Sequence, residues 1–346
     1  MRDISHPSRT ERTQLAVRLL PIAVLIALLA VVPPIALMVD DPFLIKIFTR
    51  VIVFSIAAVA LNFILGFGDL VSLLQAGFVG VGGYTVAILA YHDFNAEPLL
   101  SWPLTLDGTT NLLIALPLAA LAAAIVAVLT GLVSLRTSGA YFIMITLAFN
   151  QMLYYFFVAL QKYGGEDGLQ ILSDIHLAGF DVSKRVPFYY LCLGALALTL
   201  LFFDRLVASR FGIVIRALAQ NERRVVALGI PPLRYKLLAF VITGTLGGIA
   251  GGLLAASQQF ISPADMAWAR SGEIVVMAVL GGLATVWGPV VGAAVFLVLE
   301  LVLSSFTISW QLPFGILIIV MITFLRGGLA DLWALAVQRK RPGAQG

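Results

Sequence analysis

The sequence predicts an all-α polytopic membrane protein with about ten transmembrane helices, some short or broken, and both termini in the cytoplasm. Hydrophobic residues make up 60% of the 346 residues, whereas charged residues make up only 12%. Uncharged runs long enough to span a bilayer, which takes roughly 20 apolar residues, recur along the chain. A lipid-embedded backbone must satisfy its own hydrogen bonds, and the runs lack the alternation of a membrane barrel, so we expect helices.

Seven long uncharged runs are predicted to be spanning helices, at residues 19–39, 51–68, 70–91, 111–135, 137–161, 186–203 and 237–264. The first run is too long for a signal-peptide core and no small-x-small cleavage site follows it, so we expect it to be retained. Glycines recur in the third run, from Gly77 to Gly83, and in the seventh, from Gly244 to Gly252. This density predicts close packing against neighbouring helices.

The chain from residue 274 to residue 325 divides in two ways. Two helices on either side of Glu300 would give nine spans and leave the C-terminus outside. Breaks at Gly281–Gly282 and Gly288–Pro289 give three shorter helices and ten spans instead. We prefer ten, because most Lys and Arg residues then lie in the cytoplasm. The eighth span, near 273–287, is barely long enough, and a re-entrant course is its alternative.

Glycine-interrupted segments at 66–83 and 281–289 occur one in each half of the chain. They suggest a duplicated architecture in which broken helices lie near a central pathway. We predict a cytoplasmic N-terminal tail at 1–18, a transmembrane domain at 19–333 and a cytoplasmic C-terminal tail at 334–346.

A basic loop at 207–234 interrupts the apolar sequence and is predicted to be cytoplasmic. Its charges alternate with apolar residues, which predicts a short surface helix ending at Gly229, with Pro231 and Pro232 preventing its continuation. Such a helix could lie on anionic membrane lipid, or it could be the docking site of a cytosolic subunit.

Motifs of catalysis are missing from the sequence. It has no phosphate-binding G-x-x-x-x-G-K-[ST] loop and no H-E-x-x-H, and its three histidines are dispersed. We therefore predict no catalytic residues, no metal site and no enzyme activity, and the basic pI indicates topology rather than nucleic-acid binding. Cys192 is the only cysteine, so no intrachain disulfide forms.

Charge is sparse within the predicted spans. Glu300 is the main exception, and we interpret it as lying near a helix end, because a buried carboxylate is unfavourable in a membrane. Uncharged polar residues are instead the candidates for a pathway, although each could equally be an interhelical hydrogen bonder. They are Asn62, Ser72, Gln75, Tyr84, Thr85, Tyr141, Thr146 and Asn150.

Several segments together resemble the branched-chain amino acid (leucine/isoleucine/valine) type of ABC importer permease, specifically the longer of its two permease subunits. The matching segments are 61–66, 72–85, 139–148, 164–169, 209–230, 235–240, 280–283, 287–289 and 326–329. The resemblance covers roughly residues 44–332. Leu74 and Gln75 depart from it, because many members have Gly-His there.

The resemblance implies an importer driven by two cytosolic ATPase subunits, which carry the ATP and Mg, so that this chain has no cofactor of its own. A second, homologous permease and a periplasmic solute-binding protein complete it, in the bacterial cell inner membrane. The implied ATPase-coupling residues are Arg216, Glu222, Arg223, Arg224 and Gly229. The implied outer-gate residues, which face the binding protein, are Gly164, Gly165, Glu166, Asp167 and Gly168.

The substrate class is left open between branched-chain amino acids and the solutes of related permeases, which are urea, short amides and aromatic or other carboxylic acids. A self-sufficient secondary transporter is the alternative from another class. It would require buried ionisable residues and no obligate partner. A membrane-embedded enzyme ranks third, since no polar cluster in the sequence supports one.

Overall fold

The computed structural model describes residues 9–96, 98, 108–173, 176–177, 180–181, 184–283, 285–306, 311–324 and 328–329. These residues are mainly helical, with two small pairs of antiparallel strands. The predicted all-α membrane fold is confirmed.

Thirteen α-helices occur in the described part of the chain. They are α1 Arg9–Ala30, α2 Val32–Met38, α3 Pro42–Asn62, α4 Gln75–Phe94, α5 Leu112–Ser134, α6 Ala140–Ala159, α7 Arg185–Ala208, α8 Arg210–Gln220, α9 Glu222–Ala227, α10 Pro232–Gln258, α11 Trp268–Gly281, α12 Gly288–Phe306 and α13 Gln311–Phe324. A π-helical segment, Phe63–Phe67, continues α3, and 3-10 turns occupy Gln161–Tyr163 and Pro263–Met266. The strands are β1 Leu169–Gln170, β2 His176–Leu177, β3 Phe180–Asp181 and β4 Phe260–Ile261.

Seven helical stretches in the described residues are long and apolar enough to cross a membrane. α1 with α2 forms the first, α3 with its π-helical continuation forms the second, and α5, α6, α7, α10 and α12 form the others. α3 and α10 are mostly buried, whereas α5 and α6 leave most of their surface exposed. The glycine-rich α4 and the 14-residue α11 and α13 would bring the number to ten, which stays a prediction.

The helix boundaries differ from the predicted runs at several places. α3 begins at Pro42, before the predicted start at residue 51, and α10 covers Pro232–Gln258 rather than residues 237–264. α1 begins at Arg9, inside the predicted N-terminal tail, while residues 1–8 and the whole predicted C-terminal tail lie outside the described residues. The third predicted run begins with a non-helical segment, because α4 starts only at Gln75. This start could not be recognised from the sequence, because apolar residues continue from the non-helical segment into the helix.

The last third of the chain breaks at the predicted glycines. α11 ends at Gly281 and α12 begins at Gly288, so three helices follow α10. Glu300 lies inside α12 rather than between two helices, so the division of this region into two helices at Glu300 is wrong. The prediction that Glu300 lies near a helix end is corrected below.

The glycine-rich faces of α4 and α10 pack backbone against backbone. Gly82 contacts the carbonyl of Gly248, and Gly251 contacts the carbonyl of Val79, so closely that a Cβ atom at either glycine would overlap the neighbouring main chain. The predicted close approach of these two helices is thereby confirmed, and it places α4 in the interior of the bundle.

The two predicted helix breaks meet inside the bundle. The Asn62 Nδ2 atom donates to the carbonyl of Thr285 at 2.8 Å. Gly66, in the π-helical segment, lies against the carbonyl of Leu283. π-helical segments leave backbone groups outside the regular ladder and are frequent at functional sites. The contact therefore brings two irregular segments, more than 200 positions apart in the chain, to one place.

Candidate functional site

The basic loop folds into a helical hairpin, defined here as α8 and α9 with the turn that follows them, residues 210–229. One helix was predicted, but Asn221 has an extended backbone that separates two. Ser209 and Asn221 cap the two helices, since their side chains accept hydrogen bonds from the backbone N–H groups of Gly212 and Arg224. Each of the two helices therefore has an N-cap of its own.

Gly229 ends the hairpin as predicted. Its φ of 81° is left-handed, which favours glycine. The N–H of Gly229 donates to the Val226 carbonyl, and that of Ile230 donates to the Val225 carbonyl. This pair of bonds is the Schellman arrangement of a helix C-terminus. The chain reverses there and enters α10 at Pro232.

The five predicted coupling residues of the hairpin have two different surroundings. Arg223, Arg224 and Gly229 are exposed at its tip, together with Leu228, whose exposed fraction is 78%. Arg216 instead donates to the carbonyls of Val207 and Gly212. Glu222 accepts from the Lys236 ammonium at 2.7 Å. The last two residues therefore bond within their own chain and hold the hairpin against α7 and α10.

Four of the predicted pathway residues make hydrogen bonds around the start of α4, and two of them, Thr146 and Ser72, hold the non-helical segment before it. Thr146 accepts from the backbone N–H of Leu73 at 3.2 Å, and Ser72 accepts from that of Leu74 at 3.3 Å. Asn150 donates to the Met266 carbonyl, and Gln75 donates to the Ala57 carbonyl.

Two other candidates from the predicted pathway take no part in this arrangement. Thr85 donates its hydroxyl to the Val81 carbonyl of its own helix. Tyr141 is 72% exposed on α6. One residue that the sequence did not single out does take part, because the Ser271 hydroxyl accepts from the N–H of Ala76.

Three of the predicted pathway residues carry buried polar atoms without a hydrogen-bond partner: Asn62 Oδ1, Tyr84 OH and Asn150 Oδ1. Tyr84 is fully buried, and its ring stacks on Phe157 with 4.2 Å between the ring centroids. Most buried polar groups in proteins are satisfied, and each exception calls for a reason such as a bound water, ion or ligand. The pathway role of these residues stays a prediction.

A cluster of five ionisable residues lies where α3, α11, α12 and the 3-10 turn before α11 come together, and the sequence analysis missed it. Its members are Arg50, Asp265, Arg270, Glu273 and Glu300. Arg50 Nη2 donates to Glu300 Oε1 at 3.3 Å, and Arg270 pairs with Glu273 one turn later on α11. We call this group the charge cluster.

Phe54 and Asp265 tie the charge cluster together. The guanidinium groups of Arg50 and Arg270 each lie 5.6 Å from the centroid of the buried Phe54 ring, which favours cations over its face. Burial raises the pKa of the Asp265 carboxyl, and the charges of Arg270 and Arg50 oppose that shift. Glu300 is thus paired inside a helix and does not end one.

The predicted outer-gate residues form a tight turn. Gly164 and Gly168 both have a φ of 87°, and Gly164 lies against the Gly168 carbonyl, where no side chain would fit. β1 follows directly and pairs with β4, with Leu169 opposite Ile261. The turn leaves Glu166 and Asp167 exposed, so it presents two carboxylates beside the connection between α10 and α11.

Comparison with known proteins identifies the family to which the chain belongs. Residues 43–325 match the family model described as branched-chain amino acid transport system / permease component. The chain belongs to this permease family. It is 27% identical to the high-affinity branched-chain amino acid transport system permease protein LivM of Escherichia coli, over 87% of this chain and 73% of the relative. LivM of Salmonella typhimurium is 28% identical over the same shares.

A further relative covers a smaller part of the permease. The probable branched-chain amino acid transport permease protein LivH of Methanocaldococcus jannaschii is 26% identical over 39% of this chain and 41% of the relative. No solved structure matches the chain significantly. The helical hairpin, the helix breaks, the charge cluster and the outer turn all lie within the part of the permease that the family model matches.

Proposed function

We propose that this chain is the membrane permease subunit of an ATP-driven importer of branched-chain amino acids in the bacterial cell inner membrane. The family and the LivM relatives support the class of transporter and the substrate. The observation that carries the proposal is the helical hairpin, which offers an exposed apolar and basic tip on an otherwise lipid-adapted chain. An exposed Leu228 flanked by arginines suits a protein partner better than water.

The partner of the hairpin in this proposal is one of two cytosolic ATPase subunits, which bind the ATP and Mg that this chain does not hold. Leu228 and Val226 supply apolar contact, whereas Arg223 and Arg224 supply charge that can meet carboxylates. Arg216 and the Glu222–Lys236 ion pair keep the hairpin fixed to α7 and α10. A movement of the ATPase is then passed to these helices rather than absorbed by a loose loop.

The outer turn is the proposed contact for a periplasmic solute-binding protein, and a second, homologous permease completes the membrane part. A ligand or partner shifts a conformational equilibrium only through contacts that differ between the states. The hairpin and the Glu166–Asp167 carboxylates supply such contacts at the two ends. The permease itself does no covalent chemistry in this mechanism.

The hairpin assignment predicts that Arg223→Glu combined with Leu228→Ser lowers copurification of the ATPases from membranes by about tenfold, because a charge and an apolar anchor are lost together. The same variant should lose stimulation of ATP hydrolysis by a binding protein loaded with leucine, isoleucine or valine. Arg136→Glu, an exposed arginine between α5 and α6, is the matched control. Normal copurification and uptake in the double variant would overturn the assignment.

A self-sufficient secondary transporter is the second candidate, because the charge cluster supplies the ionisable residues that such a transporter needs. Uptake of solute into liposomes that contain this chain alone, without ATP, would select it. Stimulation by a binding protein loaded with urea, an amide or an aromatic acid would keep the importer and change its substrate.

A further inference from the structure

The bond between Arg50 and Glu300 leaves hydrogen-bonding capacity of both side chains unused. It joins only Arg50 Nη2 and Glu300 Oε1, and the distance of 3.3 Å is long for a charged pair. Arg50 Nε and Glu300 Oε2 are buried and have no partner. Arginine and carboxylate side chains commonly form two parallel hydrogen bonds. This pair therefore keeps one charged donor and one charged acceptor free.

The two side chains lie within their helices and reach the surface of the bundle. Arg50 is eight residues into α3, about 12 Å from its start, and Glu300 is six residues from the end of α12, about 9 Å. Their side chains are 37% and 17% exposed. Charged groups at such a depth are unfavourable against lipid, so they face protein or a water-filled space.

Tyr84 gives an independent sign that a ligand belongs near the charge cluster. Its side chain is fully buried and its hydroxyl has no partner. α4, which carries Tyr84, packs against the 3-10 turn that carries Asp265. A buried hydroxyl without a partner needs a compensating polar group.

We propose that the Arg50–Glu300 pair is a binding site for the charged main-chain groups of the transported amino acid. The substrate carboxylate would accept from the Arg50 guanidinium, and its ammonium would donate to Glu300, so that the substrate replaces the long bond between the two side chains. This inference rests on the proposed function, since it assumes an amino acid as the substrate.

Arg270 and Glu273 would keep the site polar while it is empty. They form an ion pair of their own, and the Arg270 guanidinium lies 5.6 Å from the centroid of the Phe54 ring that Arg50 also contacts. When the substrate occupies Arg50 and Glu300, the charge of Arg270 is still balanced by Glu273. A zwitterion adds no net charge, so it can pass this part of the membrane protein without a counter-ion.

The test uses the complete importer, with both permeases, the ATPases and the binding protein, in proteoliposomes. Arg50→Gln and Glu300→Gln should each raise the KM of leucine uptake about tenfold or more, because a hydrogen bond to a charged group is lost. Stimulation of ATP hydrolysis by the loaded binding protein should stay unchanged. Lys46→Gln, which removes an exposed cation one turn earlier on α3, is the matched control and should leave KM unchanged.

Two further measurements separate a binding site from a structural ion pair. The charge-swapped variant Arg50→Glu with Glu300→Arg restores a purely structural pair, but it should not restore uptake if the pair binds substrate. In the detergent-solubilised wild-type complex without binding protein, unlabelled leucine should displace radiolabelled leucine. 3-Methylbutylamine and 4-methylpentanoate, which each lack one charged group, should displace it at least tenfold less well.

The outcomes distinguish this inference from the proposed function. A wild-type complex that takes up none of the three branched-chain amino acids would refute the proposed function. Wild-type uptake combined with Gln variants that match Lys46→Gln would refute the inference alone. Rescue by the charge swap, or equal displacement by the two single-charge probes, would also refute it.

Discussion

Gly251 shows how a single residue controls the spacing of two helices. Its Cα lies so close to the Val79 carbonyl that a methyl group cannot be added without moving a main chain. The sequence predicted this face from the recurrence of small residues, but it could not identify Val79, which lies far away in the chain. Helical phase was equally hidden for Tyr141, which is exposed on α6 and whose place in the pathway stays a prediction.

Gly251→Ala is therefore predicted to lower the stability of the protein, because overpacking costs about 1–3 kcal/mol. Gly194→Ala is the control. A Cβ there meets open space, and glycine in a helix interior is less stable than alanine by about 0.5–1 kcal/mol, so that variant should be neutral or more stable. Thermal unfolding in detergent measures both. A Gly251→Ala protein as stable as Gly194→Ala would show that the contact can relax.

The ends of helices were predictable where glycine or proline marked them. The Gly229 terminus and the break between α11 and α12 followed from residue type alone. The break at Asn221 could not be predicted in this way. An asparagine within a helical pattern acts as a cap only where a second helix begins directly after it, and residue type alone does not show that. The non-helical segment before α4 was hidden for another reason, since the backbone of Leu73 bonds to Thr146 on α6 and the first turn of α4 bonds to Ser271 on α11.

Asn221→Ala is expected to loosen α9, because the backbone N–H of Arg224 loses its acceptor and a helix cap contributes about 1 kcal/mol. Asn221→Ser keeps an acceptor oxygen and should behave as the wild type. Hydrogen exchange at the Arg224 amide is the direct measurement, and binding of the ATPases to the two variants is the functional one. Equal exchange in both variants would contradict the capping role.

At the scale of the whole molecule, contacts between distant parts of the chain determine which residues form the candidate site. Arg50 and Glu300 are 250 positions apart, and each looked like a charge flanking an apolar run. The positive-inside rule treats such residues as markers of topology and says nothing about their pairing. The same applies to the two helix breaks, whose existence was predicted and whose contact through Asn62 was not.

The contact between the helix breaks predicts that Asn62→Ala lowers uptake and stability while leaving membrane insertion intact. The Thr285 carbonyl would lose its donor inside the bundle, which costs about 1–3 kcal/mol. Asn95→Ala removes a similar amide-to-carbonyl bond at an exposed position and serves as the control. Unfolding temperature and leucine uptake are the measurements. Indistinguishable results for the two variants would mean that the breaks do not depend on each other.

α10 has a mechanical consequence. It begins at Pro232, immediately after the hairpin, and runs for 27 residues, or about 40 Å, to the strand that pairs with β1 beside the outer acidic turn. One continuous helix thus joins the two surfaces proposed to meet different partners. A tilt applied at its inner end must appear at its outer end, with α4 carried along by their shared glycine contacts. Communication across the membrane needs no relay of side chains.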